Sequence, residues 1–480
     1  MKRSSLLYAV LIGFFAYLIW FVIDSGKNLK PQSTPTITSE QTFNKTVKKS
    51  KPVVISSNES VTEQFLHNIK SPLGLLLLQI ITILFVSKLF GAVITRIGQP
   101  SVIGEMIAGI FLGPSIMGLL FPAFSEFLFP KSSLNNLQFL SQIGLAFFMF
   151  IIGMELDIEK LKNKAYNAIV ISHASIIFPY FLGVSVSYFL YEEFAPANVS
   201  FTAFALFMGI AVSITAFPVL ARILQERGLT KTSLGAIVIT CAAFDDVTAW
   251  CILAIVIAIA KAGTIASALF TIVLTVIFIL IMLYAVKPWI KKVSSKYGDS
   301  KNLNKTLVVI VFFVLLLSAC ITEAIGIHAL FGAFLAGVIM PQKVNVKELL
   351  MEKIEDVSIL LLLPLFFAFT GLRTQIGLLN DGSLWTTCGL IIFIAVLGKF
   401  GGSAFAAKLT GQSWKDSFSI GALMNTRGLM ELIVLNIGYD LGILSPVLFA
   451  IMVLMALITT FMTGPLLSII SKFSPVSKEL

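Results

Sequence analysis

Long apolar stretches, separated by short polar connections, make up most of the chain. Stretches of about 17–25 apolar residues have the length that a helix needs to cross the roughly 30 Å hydrocarbon core of a bilayer. The pattern predicts about fourteen such helices, of which 327–341 is the shortest, at residues 5–23, 72–90, 100–121, 137–155, 165–190, 200–224, 233–260, 264–290, 304–325, 327–341, 355–373, 384–410, 416–438 and 444–471. Because the connections are too short for a soluble domain, the sequence predicts an all-α polytopic membrane protein.

The N-terminal region differs from the rest of the chain. Residues 24–71 are rich in Ser, Thr, Lys and Asn, which is typical of a flexible linker. The apolar run before them fits a signal peptide or an uncleaved anchor, and Asp24-Ser25-Gly26 is a poor cleavage site, which favours the anchor. The predicted domains are the anchor with its linker at residues 1–71, the transmembrane domain at residues 72–471 and a cytoplasmic tail at residues 472–480.

Composition agrees with this pattern. Apolar residues make up 57% of the chain and charged residues 12%, and the mean hydropathy is +0.94. Ordinary soluble domains are about 45–50% apolar and about 25% charged, so soluble, disordered, fibrous and disulfide-stapled proteins are excluded. The four cysteines lie in apolar stretches without paired spacing, which predicts no metal cluster; they are Cys241, Cys251, Cys320 and Cys388. We expect no cofactor and no metal beyond a transported cation.

The net charge of +10 has a membrane explanation. Lysines and arginines lie in alternate short loops between the apolar runs, the distribution that the positive-inside rule describes, rather than in a patch that would bind nucleic acid. The lipid bilayer, and not a nucleic acid, is therefore the predicted partner. The same rule places both termini in the cytoplasm.

Two short patterns occur in both halves of the chain. An Ala-Gly pair with a following proline lies at 108–114 and again at 336–341, and a Phe-Phe pair with a later glycine lies at 147–155 and 366–373. Seven predicted spans separate the copies, so matching segments start on opposite sides of the membrane. An inverted-topology repeat of this kind is common among secondary transporters, although a chance match between apolar segments is the alternative.

Two predicted spans contain a break near the middle of the membrane. Pro218 removes a backbone donor after Ser213 and Thr215, and the polar run that begins at Asn425 and ends at Gly428 interrupts the thirteenth span. Such breaks expose backbone groups and opposed helix ends that can bind an ion. The sequence therefore predicts two discontinuous helices that cross, with an ordinary packing kink as the alternative for either one alone.

Five charged residues lie near the middle of predicted spans, where charges are costly and usually functional. Asp245 and Asp246 lie at the middle of one helix, Lys399 near the middle of another, and Arg427 at the second break with Glu431 one helical turn further on. If Lys399 pairs with one aspartate and Arg427 with Glu431, one carboxylate has no fixed partner. That carboxylate can hold a proton or a cation, but hardly both together, and this competition is itself an exchange mechanism.

Other polar residues in the spans give weaker signals. Glu105 and Glu323 fall near segment ends, and Glu323 could line an entry funnel or serve as a gating charge. His173 and His328 are interpreted as satisfied by neighbouring helices. For Arg427 a purely structural pair with its glutamate competes with a role in transport.

Several motifs resemble a known family. Residues 215–222 together with 245–250 resemble the monovalent cation:proton antiporter-2 family, which is Na⁺/H⁺ exchanger-like. Residues 328–334 and 425–436 most resemble its plant-type cation/proton exchanger branch and the bacterial relatives of that branch. The resemblance covers residues 72–471. It implies a homodimer in the bacterial cytoplasmic membrane. The static dimerisation scaffold would be residues 72–155 and 304–373, the moving core residues 165–260 and 384–471, and the connecting helix residues 264–290.

The resemblance also implies roles for single residues. Asp246 would be the main ion- and proton-binding carboxylate, and Asp245 would pair with Lys399 in one transport state. Thr215 and the broken backbone beside it at Ser213 would complete the site. The chain departs from the glutathione-gated potassium efflux members, which carry Gln-Asp at the positions of the two aspartates.

The leading functional hypothesis is exchange of K⁺ or Na⁺ for protons by alternating access, without enzymatic chemistry. A sodium-coupled organic-anion symporter shares the broken-helix architecture, and a cation channel with a carboxylate-lined pore is a further alternative. An intramembrane aspartyl protease is disfavoured, because adjacent residues on one helix point about 100° apart and cannot face each other across a gap.

Overall fold

The computed structural model describes residues 2–31, 68–155, 165–229, 232–261, 265–297, 305–341, 350–351 and 354–472. Within these residues, ten helices are long and apolar enough to cross a membrane, and eleven if the bent pair Trp414–Met424 and Leu429–Asp440 is one span. The prediction of an all-α polytopic membrane protein is confirmed. Most of the predicted linker at 24–71 and most of the predicted tail at 472–480 lie outside the described residues.

The helices of the first half end with the one that carries both aspartates. In chain order they are α1 (Lys2–Gly26), α2 (Pro72–Arg96), α3 (Ser101–Leu112), α4 (Met117–Leu120), α5 (Pro122–Leu128), α6 (Leu134–Glu155), α7 (Ala165–Phe194), α8 (Phe201–Ser213), α9 (Phe217–Glu226) and α10 (Ser233–Lys261). The predicted span at 100–121 thus ends as a regular helix at Leu112, and the predicted span at 200–224 is two helices, α8 and α9.

The helices of the second half include three short π-helical turns, at Met282–Val286, Val357–Leu362 and Leu397–Gly401. The helices are α11 (Ile265–Ile281), α12 (Lys287–Tyr297), α13 (Lys305–Ile325), α14 (Ala329–Val338), α15 (Leu363–Arg373), α16 (Gly382–Val396), α17 (Gly402–Leu409), α18 (Trp414–Met424), α19 (Leu429–Asp440) and α20 (Pro446–Lys472). The predicted connecting helix at 264–290 continues through a π-helical turn as far as Tyr297.

The helices form two groups that pack mainly among themselves. The first bundle contains α2, α3, α6, α13, α14 and α15, and the second contains α7, α8, α10 and α16 to α20. Helix α1 packs on α7 and α8 of the second bundle. The Phe15 ring meets Phe178 and Phe181 edge-on, and a side chain at Gly26 would overlap the ring of Phe201.

Glycines from the repeated patterns bring helices of the two halves into backbone contact. A Cβ on Gly109 of α3 would lie 2.6 Å from the Phe367 carbonyl oxygen, and one on Gly371 of α15 would overlap Gly109. In the same way, a Cβ on Gly337 of α14 would lie 2.9 Å from Gly153 Cα of α6. Each half therefore contributes one helix to each of two matching close contacts, α3 with α15 and α6 with α14. This reciprocal packing supports the inverted repeat, and small residues are what allow such close approach in membranes.

The two breaks meet each other. Helix α8 ends at Ser213 and α9 begins at Phe217, while α18 and α19 are bent by 42°. The Ala216 N–H donates to the Thr426 carbonyl at 3.0 Å, and the Thr215 hydroxyl lies 3.4 Å from the Met424 carbonyl oxygen. Each interrupted segment thus forms hydrogen bonds with polar groups of the other. For this reason the crossing of two discontinuous helices is a stable arrangement inside the bilayer.

Candidate functional site

Asp245 lies buried at the middle of α10, and both of its carboxylate oxygens accept hydrogen bonds. Its Oδ1 accepts a hydrogen bond from the Ser172 hydroxyl at 2.6 Å. Its Oδ2 accepts from the hydroxyls of Ser175 at 2.6 Å and Thr215 at 2.8 Å, and from Lys399 Nζ at 2.9 Å. Three of the four donors converge on Oδ2 and one contacts Oδ1, so only Oδ1 keeps a lone-pair position for a further ligand.

Lys399 reaches this carboxylate from the π-helical turn between α16 and α17. Besides Asp245, its ammonium donates to the Ser175 carbonyl at 2.9 Å and to the Ser213 carbonyl. Ser213 is the last residue of α8, where carbonyls have no partner within the helix. The lysine is fully buried, and these acceptors together with the aspartate make its burial possible.

Asp246 has the opposite environment. It is 1% exposed, and neither of its carboxylate oxygens accepts a hydrogen bond from the residues that the structure describes. Its carboxylate borders a small cavity that is otherwise apolar and is lined by Ile214, Ala249, Trp250, Leu253, Met430 and Val434. One turn along the same face of α10, Trp250 stacks on Phe334 of α14 with the ring centroids 6.2 Å apart. Asp246 therefore faces the contact between the two bundles.

Arg427 lies in the second break and bonds to the end of the first broken helix. Its guanidinium donates to the Ala211 carbonyl at 3.1 Å and to the Val212 carbonyl, and it lies 3.3 Å from Glu431. All of these groups are buried. The positive charge thus offsets the negative end of the α8 dipole as well as the glutamate.

The other residues singled out in the sequence have different surroundings. The Ser213 hydroxyl donates to Gly209 within its own helix, so the carbonyl of Ser213 is the group that contacts the site. Asn425 is buried, and its side-chain amide makes no hydrogen bond within the described part of the chain. Glu323 accepts a hydrogen bond from the Ala329 N–H at 2.8 Å and so caps α14, in contact with a helix end rather than with another predicted site residue.

Ser172 and Ser175 were not found from the sequence. They lie three residues apart on α7, and both donate to Asp245. The signal for them is weak, because a serine in an apolar helix commonly bonds to the carbonyl one turn earlier, as Ser185 and Ser187 do. A pair of serines spaced to lie on one helical face is the only local clue.

Comparison with known proteins agrees with this fold. The family described as "Sodium/hydrogen exchanger, transmembrane" matches residues 80–472. In the solved structure of the sodium proton antiporter MjNhaP1 from Methanocaldococcus jannaschii, 94% of the chain superposes on 81% of this one, with a TM-score of 0.60 at 13% identity. At that identity the similarity concerns the fold, and it confirms the predicted antiporter architecture.

Relatives of higher identity span the same region. The Na⁺/H⁺ antiporter NhaS4 of Synechocystis sp. is 44% identical over 393 residues, which cover 82% of this chain and 96% of that protein. Cation/H⁺ antiporter 17 of Arabidopsis thaliana and K⁺/H⁺ antiporter 1 of Saccharomyces cerevisiae are 40% and 33% identical over 83% and 85% of this chain. The matched regions make up 49% and 47% of those two longer proteins. The chain is thus a multi-pass integral membrane protein that belongs to the transmembrane sodium/hydrogen exchanger family of monovalent cation/proton antiporters.

Proposed function

We propose that this protein exchanges K⁺ or Na⁺ for protons by alternating access, with Asp246 as the carboxylate that holds cation and proton in turn. The observation that carries the proposal is the contrast between two adjacent aspartates. Asp245 accepts four hydrogen bonds or ion-pair contacts, and Asp246 accepts none within the described residues. A buried ionised carboxylate without a partner is unfavourable, so Asp246 gains most from binding a positive ion.

The charges around the crossing support one monovalent ion at a time. Asp245 is paired with Lys399, and Glu431 with Arg427. Among these five buried groups, Asp246 is left with one uncompensated negative charge. A proton or a monovalent cation neutralises it, and occupancy by one excludes the other.

The position of Asp246 supports access by relative movement of the bundles. Its face of α10 meets α14 of the first bundle through the stack of Trp250 on Phe334. In the proposed cycle the second bundle, as the moving core, carries the carboxylate past the first bundle, as the scaffold. The site then opens to one side of the membrane at a time.

A second copy of the chain is the proposed partner in a homodimer. Helix α2 in the first bundle carries a stripe of large apolar side chains that winds around the helix and is exposed at every fourth residue; they are Leu73, Leu77, Ile81, Phe85, Leu89 and Val93. Such a stripe can pack against its own symmetry mate as well as against lipid. The mass of the protein in lipid nanodiscs tests this, and a monomer there would contradict it.

The exchange itself is tested with purified protein in sealed liposomes that contain a trapped pH-sensitive dye. An imposed pH gradient should collapse when K⁺ or Na⁺ is added outside, and the cation that collapses it is the substrate. Both cations are tested, because the named relatives include a Na⁺/H⁺ and a K⁺/H⁺ antiporter. The Asp246→Asn variant should lose this activity, since an amide cannot exchange a proton for a cation.

Asp381→Asn is the matched control. Asp381 is an exposed residue that caps the start of α16, and asparagine caps a helix equally well. This variant should exchange ions at the wild-type rate. If Asp246→Asn also retained the wild-type rate, or if neither cation moved protons, the proposed role of Asp246 would be wrong.

A further inference from the structure

Pro179 lies inside α7, where most residues donate their N–H to the carbonyl four residues earlier. Proline has no N–H, and its ring crowds that carbonyl. For Pro179 the carbonyl belongs to Ser175. The proline therefore leaves one main-chain acceptor in the middle of α7 without its helical donor.

The Ser175 carbonyl is an acceptor for Lys399. The ammonium donates to it at 2.9 Å, to Asp245 at 2.9 Å and to the Ser213 carbonyl, and it also lies 3.3 Å from the Ser175 hydroxyl oxygen. An ammonium has three protons, so the three shorter contacts use all of them. Two of the three are main-chain carbonyls outside the regular helical pattern, one at a proline and one at a helix end.

The same proline also contacts the segment that carries the lysine. Pro179 is buried, and a Cβ on Gly398 would lie 2.7 Å from the Cβ of Pro179. Gly398 precedes Lys399 in the π-helical turn Leu397–Gly401. Turns of this kind are rare and frequently lie at functional sites. The proline thus frees the acceptor and packs directly against the turn that supplies the donor.

We propose that Pro179 is a positioning residue of the ion site, which keeps the Ser175 carbonyl for Lys399 and so holds the lysine on Asp245. The inference rests on the proposed function, because its consequence is that Asp245 stays paired and Asp246 is left to bind the ion. An N–H at position 179 would return the carbonyl to the helix. The lysine would then lose one of its three acceptors and compete less well for Asp245.

The test is Pro179→Ala in the liposome assay. Removal of one hydrogen bond to a charged group should lower the exchange rate about tenfold. The melting temperature should stay equal or rise, because alanine restores a helical hydrogen bond and favours the helix. Pro465→Ala is the control, since Pro465 is an exposed proline inside α20: it should raise the melting temperature for the same reason and leave the exchange rate unchanged. A normal exchange rate in Pro179→Ala would overturn the inference.

Two further measurements separate positioning from a general packing role. The hydroxy-acid analogue of alanine at position 179, introduced by nonsense suppression, lacks both the ring and the N–H. This analogue should restore exchange. If the protein that carries it folds but does not exchange ions, the inference is overturned.

The coupling between the proline and the lysine is tested in a Lys399→Gln background. There, Pro179→Ala should change the cation-dependent rise in melting temperature by less than about twofold, and by less than it does when Lys399 is present. An equal effect in both backgrounds would contradict the coupling. Absence of exchange in the wild-type protein would instead refute the proposed function.

Discussion

Two positively charged side chains, Lys399 and Arg427, lie fully buried at the crossing of the broken helices. Each bonds to main-chain carbonyls as well as to a carboxylate. Lys399 contacts the carbonyls of Ser175 and Ser213, and Arg427 contacts two carbonyls at the end of α8. Helix ends and a proline supply these acceptors because their carbonyls are free of helical bonding. At this scale, the backbone is as much a part of the site as the side chains are.

Arg427→Ala is expected to destabilise the protein by about 3–5 kcal/mol, because it leaves Glu431 buried without its cation. Glu431→Gln should cost only about 1 kcal/mol, since the amide can still accept a hydrogen bond from the arginine. Thermal unfolding of the two variants in the same detergent measures both effects. Equal losses of stability would show that the ion pair is not what balances these charges.

Breaks and close glycine contacts determine the shape and the packing of whole helices. Proline and short polar runs interrupt two spans, and glycines at repeated positions let α3 approach α15 and α6 approach α14 at backbone distance. Both effects follow from local residue types. Which helices approach each other, however, depends on the fold, since the partners lie in opposite halves of the chain.

Gly371→Ala is expected to destabilise the protein by about 1–3 kcal/mol, because the added methyl group would overlap Gly109 and push the two helices apart. Gly337→Ala should have an effect of similar size at the matching contact. Gly389→Ala is the control: Gly389 is exposed on α16, and a Cβ there meets nothing within 4 Å. There the alanine should stabilise the helix by about 0.5–1 kcal/mol. Thermal unfolding compares the variants, and no difference between Gly371 and Gly389 would contradict the packing argument.

At the scale of the whole molecule, a polar cluster joins the two bundles. Arg373 of α15 lies 2.6 Å from Asp440 at the end of α19, and Gln138 of α6 lies 3.4 Å from the same carboxylate. The arginine also stacks over the rings of Phe369 and Tyr439. The distribution of lysine and arginine predicts that this contact lies on the outer side of the membrane. Alternating access requires that it opens during the cycle.

Cross-linking should therefore arrest transport. Gln138→Cys with Asp440→Cys, joined by a short thiol reagent in a chain whose four native cysteines are replaced, should abolish exchange in liposomes. A reducing agent that cleaves the reagent should restore it. Arg227→Cys with Ser468→Cys is the control pair: Arg227 follows α9, which packs on α10 of the second bundle, and its hydrogen bond of 3.2 Å reaches Ser468 on α20 of the same bundle. Exchange that persists with the bundles cross-linked would exclude their separation at this contact.

The membrane fold, the two breaks and the set of buried charges are predictable from the sequence. Span length depends on runs of apolar residues, and breaks depend on proline, glycine and polar side chains, so both can be read locally. The family could also be recognised, because its motifs are short and contiguous. The contact of Glu323 with the start of α14 is not predictable in this way, because it depends on how the chain turns after Ile325.

Which of the two aspartates has partners depends on how the helices pack. Asp245 and Asp246 are adjacent and chemically identical, and no local pattern distinguishes them. The difference comes from Ser172, Thr215 and Lys399, which lie 73, 30 and 154 residues away in sequence and converge on one carboxylate. Neighbouring residues on a helix point about 100° apart. Asp245 therefore faces the donors on α7, after α8 and in the π-helical turn, while Asp246 faces the first bundle.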